Sequence, residues 1–227
     1  MYWFAIETSS PSVSMAWGRD STCLRAVSEE GNASALVEPL FRELKMDLGQ
    51  IEQCVIGQGP GSYNGLRVGY AFLKGLLCLV PLPIVQVSTP LILAQHALEK
   101  LGKKNAAFLI LNNARRGEIY GALIHAQDGR LHLQWETIDD EKALFPQLPS
   151  HLDAIVSYDY TAKDLPALGC HTWVSLFPTA LVAGQVARQL KLLPAKHLSE
   201  LEPRYIRVAV PPKTGIAKGT ALWKTDH

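Results

Sequence analysis

Gly57-Gln58-Gly59-Pro60-Gly61-Ser62-Tyr63-Asn64-Gly65-Leu66-Arg67-Val68-Gly69 stands where one periodicity ends and another begins. Before it, Cys54-Val55-Ile56 is a short apolar run of the kind that makes a buried strand; after it, Leu66 to Leu79 reads as a helix. The predicted path is strand, glycine-rich turn, helix, with the backbone passing through positions that glycine tolerates best. Two readings of the loop stay open, a tight structural turn and a helix start whose amides hold an anion. The familiar phosphate motifs do not fit. A third glycine of GxGxxG would fall on Ser62 or Asn64, and no GxxxxGK[ST] occurs, since Lys74 precedes its glycine. Nor does Ser62 sit in a GxSxG elbow, because Pro60 stands two before it.

Upstream, residues 2–6 form an apolar run that ends in Glu7-Thr8-Ser9-Ser10-Pro11-Ser12. Val13, Met15 and Trp17 then alternate with small residues, and Thr22 to Val27 can add a third strand, so the chain opens on a hairpin. Leu36, Val37, Leu40, Phe41 and Leu44 follow helical spacing, with Asn32 or Ser34 as the cap. Downstream, a strand is expected at Ile84 to Val87, and Pro90 opens a helix over Leu91 to Leu101. This order makes a mixed sheet flanked by helices in residues 1–104.

A second lobe is expected over residues 105–227. Phe108 to Asn112, Glu118 to His125 and Leu131 to Thr137 read as three consecutive strands, the last two joined through Asp128-Gly129, a strong hairpin signal. Ala154 to Ser157 and Thr172 to Leu176 are further strands and Thr179 to Leu192 a helix. The tail after Pro203 turns polar, with Pro211-Pro212 and three lysines, and its end is expected to be mobile. The two halves share a plan of hairpin then helix, a hint of duplication.

Bulk properties narrow the function. The 227 residues carry a net charge of +1, which argues against a chain that holds RNA or DNA by itself. The four cysteines, Cys23, Cys54, Cys78 and Cys170, form no CxxC pair, and three lie in apolar stretches, so reduced structural thiols in a cytoplasmic protein are expected. The first residues have no basic region or cleavage site, so no signal peptide is read there. The uncharged stretch Gly75 to Leu98 is broken by Pro81, Pro83 and Pro90 and is not read as a membrane span.

Several segments together resemble the TsaB (YeaZ) family. The glycine-rich stretch is similar to GPGSFTGLRIG, and Phe4-Ala5-Ile6-Glu7-Thr8-Ser9 to an N-terminal (I/L)AIDTS. Gln86-Val87-Ser88-Thr89 resembles GVST, Asn113 to Tyr120 resembles DARRGEVY, and Glu202 to Arg207 resembles EPxYLR. The family motif residues are then Gly59, Pro60, Gly61, Ser62, Gly65 and Arg67. The resemblance implies an actin/hexokinase/Hsp70-like (RNase-H-like) α/β fold of two lobes. It also implies a non-catalytic subunit, needing no cofactor, that pairs with the catalytic paralogue TsaD and the ATPase TsaE and forms a homodimer when alone. Together these place threonylcarbamoyl on the adenosine beside the anticodon of tRNAs reading codons that start with A. On this reading tRNA is met only through the complex. The rival reading is an enzyme, glycoprotease-like or an ATP-dependent transferase.

The resemblance also locates the rival's chemistry. The paralogue's metal-binding HxxxH would fall near Thr89 and Leu93, which are not ligands, and no two of the seven histidines lie three or four apart. Superfamily ATPases hold magnesium and phosphates with the first hairpin, where this chain has Glu7, Thr8, Ser9 and Ser10. Capping of the turn by its hydroxyls and a vestigial nucleotide contact both remain open. Glu7, Asn64 and Asn113 depart from the family's Asp, Thr and Asp.

The helix Leu66 to Leu79 is apolar all round and so must be covered on more than one side. Either it is wholly buried within the chain or part of it faces another chain, and the resemblance favours an interface. The expected contact residues are Leu36, Leu40, Leu66, Gly69, Tyr70, Leu73, Leu76 and Leu77, with glycine and alanine pairs four apart letting a second helix approach.

Overall fold

Strand β1 (Tyr2–Glu7) is apolar on both faces because both faces are covered. In the computed structural model, which describes residues 1–149, 151–168, 171–195 and 200–205, β1 lies at the centre of the first sheet. It pairs antiparallel with β2 (Ser12–Arg19), which pairs with β3 (Thr22–Glu30), and parallel with β4 (Gln53–Gly59), which pairs with β5 (Ile84–Ser88). The order is β3-β2-β1-β4-β5. Helices α1 (Ala33–Glu43), α2 (Tyr63–Leu79) and α3 (Thr89–Lys100) make the connections.

The second sheet repeats that plan. Strands β6 (Ala106–Arg115), β7 (Glu118–Gln127) and β8 (Arg130–Asp139) are antiparallel neighbours; after the short helix α4 (Glu141–Leu144), β9 (Ala154–Ser157) and β10 (Trp173–Ser175) join in parallel. The order β8-β7-β6-β9-β10 is that of the first sheet, position for position. The registers match as well: Ala5 faces Val55 in β4, and Ile110 faces Val156 in β9. Two lobes of one topology, each a mixed sheet with flanking helices, make this the actin/hexokinase/Hsp70-like fold expected from the sequence.

Side-chain alternation sorts the layers. Phe4, Ile6, Cys54 and Ile56 point outward to α1 and α2, while Trp3, Ala5, Val55 and Val85 point inward. The inward side meets α5 (Ala180–Gln189), which comes late in the chain yet packs on the first sheet. Trp3 fixes it there: a Cβ on Gly184 of α5 would lie 2.9 Å from the indole, and Arg188 sits 4.6 Å over the ring. Helix α3 carries Ile92 toward this layer and Leu93, Ala94, Ala97 and Leu98 toward Phe108, Ile110, Ala122 and Ile124 of the second sheet. Helices α3 and α5 therefore lie between the sheets, and α1 and α2 lie outside the first.

Local signals behave as read. Asn32 caps α1, its side chain accepting from the Ser34 amide at 3.0 Å. Asp128 and Gly129 have φ of 50° and 77°, the left-handed pair a two-residue hairpin requires. Three details differ. Helix α2 starts at Tyr63, earlier than Leu66, because Ser62 caps it by accepting from the Gly65 amide at 3.2 Å. The short helix α4 carries too little periodicity to be read. Cys78, expected among packed apolar residues, is exposed on α2, whereas Cys54 is buried and Cys23 half-buried. Cys170, Ile206, Arg207 and the polar tail from Val208 lie outside the described residues.

Candidate functional site

The turn from β1 to β2 is buried through Ser10, and the glycine-rich loop packs over it with Gly61 to Asn64 exposed on its outer side. Glu7, Thr8, Ser9 and Ser10 are all buried, at 0%, 1%, 0% and 5% exposure. Their polar groups mostly cap the turn. Glu7 Oε1 accepts from the Ser9 amide at 2.6 Å, Ser10 Oγ accepts from the Ser12 amide at 3.2 Å, and Thr89 Oγ1 donates to Ser9 Oγ at 3.0 Å. The Ser62 amide donates to Ser9 O at 2.6 Å, binding the glycine loop to the turn. Two amides of the α2 start are thus engaged internally, those of Ser62 and Gly65, rather than turned to an anion.

The glycines of the motif serve close approach more than unusual backbone. Among Gly57, Gly59, Gly61, Gly65 and Gly69 only Gly59 has a positive φ, +95°. A Cβ on Gly61 or Gly65 would lie 2.1 Å from the carbonyl oxygen of Ser9 or Thr8, and one on Gly69 would lie 2.4 Å from Thr8 Oγ1. Gly65 and Gly69 are four apart on one helical face, and that face rests on Thr8. The close contact expected there with another helix is made with this turn.

Glu7 points to the inward side. Burial pushes its carboxyl above the usual range, against the hydrogen bonds from Ser9 that pull it down. Glu7 Oε2 has no hydrogen-bond partner among the described residues. Glu7 has a counterpart at the equivalent position of the second sheet, in a residue the sequence did not single out. Asn112 stands two residues beyond Ile110 as Glu7 stands two beyond Ala5, is 5% exposed, and leaves Oδ1 and Nδ2 unpartnered. Only the duplication of topology reveals the relation. The neighbouring β6–β7 turn holds Arg115, Arg116 and Gly117 at φ of 70°, 57° and 80°, with Asn113 Oδ1 accepting from the Arg115 amide at 2.7 Å. Asn113 thus keeps the turn bond that an Asp would make. Asp159 Oδ2 accepts from the Asn113 amide at 3.0 Å, and burial raises that carboxyl.

The expected contact residues divide by burial. Leu40, Leu66, Tyr70 and Leu73 are 3%, 1%, 4% and 1% exposed, and Gly69 is also buried; they belong to the core of the first lobe and offer no free surface. Tyr70 further donates to Gln86 Oε1 at 2.6 Å. Leu36, Leu76 and Leu77 are half-buried. The free face of α2 is instead Arg67, Ala71, Lys74, Gly75, Cys78 and Leu79, the last 77% exposed. Phe41 of α1 and Phe72 of α2 meet edge to face at 5.1 Å and join the two helices into one outer surface. No group of three His, Cys, Asp or Glu placed to hold a metal occurs among the described residues. No helix among them is long and apolar enough to cross a membrane.

Residues 30–206 match the family model described as TsaD, tRNA N6-adenosine threonylcarbamoyltransferase. The tRNA threonylcarbamoyladenosine biosynthesis protein TsaB of Escherichia coli is 28% identical over 151 residues, which cover 63% of this chain and 62% of that protein. The protein of the same name from Haemophilus influenzae is 25% identical over 152 residues, 63% of this chain and 64% of that one. This chain belongs to the family, on its TsaB/YeaZ branch. The aligned part spans less than two thirds of these relatives' own length, 62% and 64%. YeaZ from Pseudomonas aeruginosa superimposes with a TM-score of 0.76 over 90% of this chain and 99% of that one, at 21% identity, a likeness of fold. A second solved structure, of a protein described as similar to that peptidase YeaZ, gives 0.73 over 91% and 99%, also at 21% identity. Gly59 to Arg67, the family motif by resemblance, is in this fold the cover of the first turn.

Proposed function

We propose that this chain is a partner subunit in the biosynthesis of tRNA threonylcarbamoyladenosine, contributing a docking surface and no reacting group. The observation that carries this reading is the close packing of the glycine loop and α2 start against Thr8 and Ser9. Where a superfamily ATPase presents its hydroxyl turn to phosphates, here Gly61, Gly65 and Gly69 lie so close that no phosphate fits between. The partners are a TsaD-like catalytic paralogue and a TsaE-like ATPase in the cytoplasm, with tRNA reached through their complex. The outer face of α2 supports docking, since Ala71, Gly75 and Cys78 are small and exposed and Leu79 projects beside them. In the absence of the paralogue the same face makes a homodimer.

Cells lacking this chain, complemented with variants, test the proposal by mass spectrometry of tRNA nucleosides. Leu79→Asp is expected to abolish the modified nucleoside and co-purification of the paralogue, while Glu7→Gln leaves both. Loss of the nucleoside in Glu7→Gln with the complex still assembled would sink the docking model.

The unpartnered Glu7 Oε2 and Asn112 amide favour one rival, an enzyme whose site is the seam between the lobes, either glycoprotease-like or an ATP-dependent transferase. Turnover by the isolated chain, lost in Glu7→Gln, is its test.

A further inference from the structure

Residues 200–205 connect parts of the molecule that lie far apart in sequence. Leu201 is buried among Phe4, Ile6, Tyr70 and Leu73 in the outer core of the first lobe. Gln86 Nε2 donates to Glu200 O at 3.0 Å, on the same side chain that accepts from Tyr70. The Arg204 amide then donates to Gln58 O at 2.8 Å, inside the glycine-rich loop. Its guanidinium goes the other way, into the second lobe. There it pairs with Glu136 Oε1 of β8, while Glu136 Oε2 accepts from the buried Tyr120 hydroxyl of β7 at 2.7 Å. One residue therefore bonds the first lobe by its main chain and the second by its side chain.

The apolar layer of α3 and α5 holds the lobes together but is non-directional, so it sets their angle weakly. A charge-assisted pair with a second acceptor oxygen tied to a tyrosine is directional. Glu136 is only 14% exposed and Arg204 40%, so solvent screens the pair less than a free surface pair. At the inward side of the central strands, β1 and β6, lie Glu7 and Asn112, whose unpartnered atoms would gain water if the lobes parted. Closure needs a contact outside that seam.

We propose that residues 200–205 are a strap and that Arg204 is its latch, holding the lobes closed over the seam between Glu7 and Asn112 and opening when the Arg204–Glu136 pair breaks. The strap belongs to the fold and stands whether or not the chain acts on tRNA. Hydrogen-exchange mass spectrometry on the full chain tests it, with circular dichroism as a check on folding. Arg204→Ala and Glu136→Gln should each speed exchange about tenfold in peptides covering residues 8–12 and 112–118, the scale of losing one charge-assisted hydrogen bond. Arg204→Lys should restore part of the protection, and the double variant should exchange no faster than either single one. Tyr120→Phe, the milder variant should Arg204→Ala fold poorly, should speed the same peptides by a smaller factor. Acceleration confined to residues 200–205 would show that Arg204 only tethers its own segment and would overturn the latch. So would unchanged rates at residues 8–12 and 112–118 in Glu136→Gln and Tyr120→Phe.

Discussion

The carboxyl of Glu7 fills the place of the side chain that Gly57 lacks: a Cβ built on Gly57 would lie 1.7 Å from Glu7 Oε2. Gly57 is in β4, parallel to β1, and the two positions face the same inward side of the sheet. The Glu7 side chain reaches across the strand pair to the bare backbone of Gly57. Its burial follows from that contact, and so does its raised affinity for a proton.

The first prediction concerns that proton. The folded chain holds it more tightly than the unfolded chain, whose carboxyl titrates near 4.5. The stability tied to neutral Glu7 is therefore complete below that value and is lost as pH rises through the folded pKa. Glu7→Gln keeps the shape and removes the titration. It should match the parent near pH 4 and be the more stable at about pH 8, read as urea midpoints across that range. A parent-like fall of stability with pH in the variant would assign the proton elsewhere.

Glycine replacements should separate by contact rather than by helix position. Gly65→Ala and Gly69→Ala push a methyl against Thr8 and should each cost about 1–3 kcal/mol, the scale of overpacking a tight core. A Cβ on Gly75 of the same helix meets nothing within 4 Å. Gly75→Ala should stabilise by up to about 1 kcal/mol through helix propensity. Denaturant titration of the three variants decides. Equal effects at all three sites would mean that the helix backbone, and not the turn, sets the requirement.

Two leucines six apart on α2 should respond oppositely to charge. Leu73, 1% exposed, is core, and Leu73→Asp should unfold the first lobe, visible as lost ellipticity. Leu79, 77% exposed, should accept Asp within about 0.5 kcal/mol, as most surface substitutions do, and show its effect in association alone. A folded, monomeric Leu73→Asp would return Leu73 to the interface.

Trp3 should be the costliest single truncation. It is fully buried, lies against Gly18 and Gly184, and donates from Nε1 to Asp20 O at 3.1 Å. Trp3→Ala should lose about 3–5 kcal/mol and loosen α5 before α1, seen as faster amide exchange over residues 180–189. Uniform loosening of both helices would deny Trp3 this local role.

Much of the architecture was legible in residue order. The alternation in Val13, Met15 and Trp17, the helical spacing of Leu36 to Leu44 and the Asp128-Gly129 turn depend on neighbours within one or two turns of chain. Local physics was enough for those. The segments shared with the family were legible too, including Glu202 to Tyr205, but not what they touch. Helix α2 shows the limit clearly. An apolar residue at every turn says that the helix is covered on several sides, yet not that Leu73 faces the sheet while Leu79 faces out.

The amino-acid sequence by itself determined the elements other than α4, their order and the family, because periodicity, caps and turn residues act over a few positions. Tertiary structure decided what the glycines are for. Gly61, Gly65 and Gly69 meet Thr8 and Ser9 across more than fifty residues of chain, through a parallel pairing of β1 with β4 that no local pattern encodes. It also decided that Asn112 answers to Glu7 and that Arg204 reaches Glu136. Those contacts arise only where two sheets of the same order close on a shared layer of helices, and the reach of a side chain is set by that closure rather than by its place in the chain.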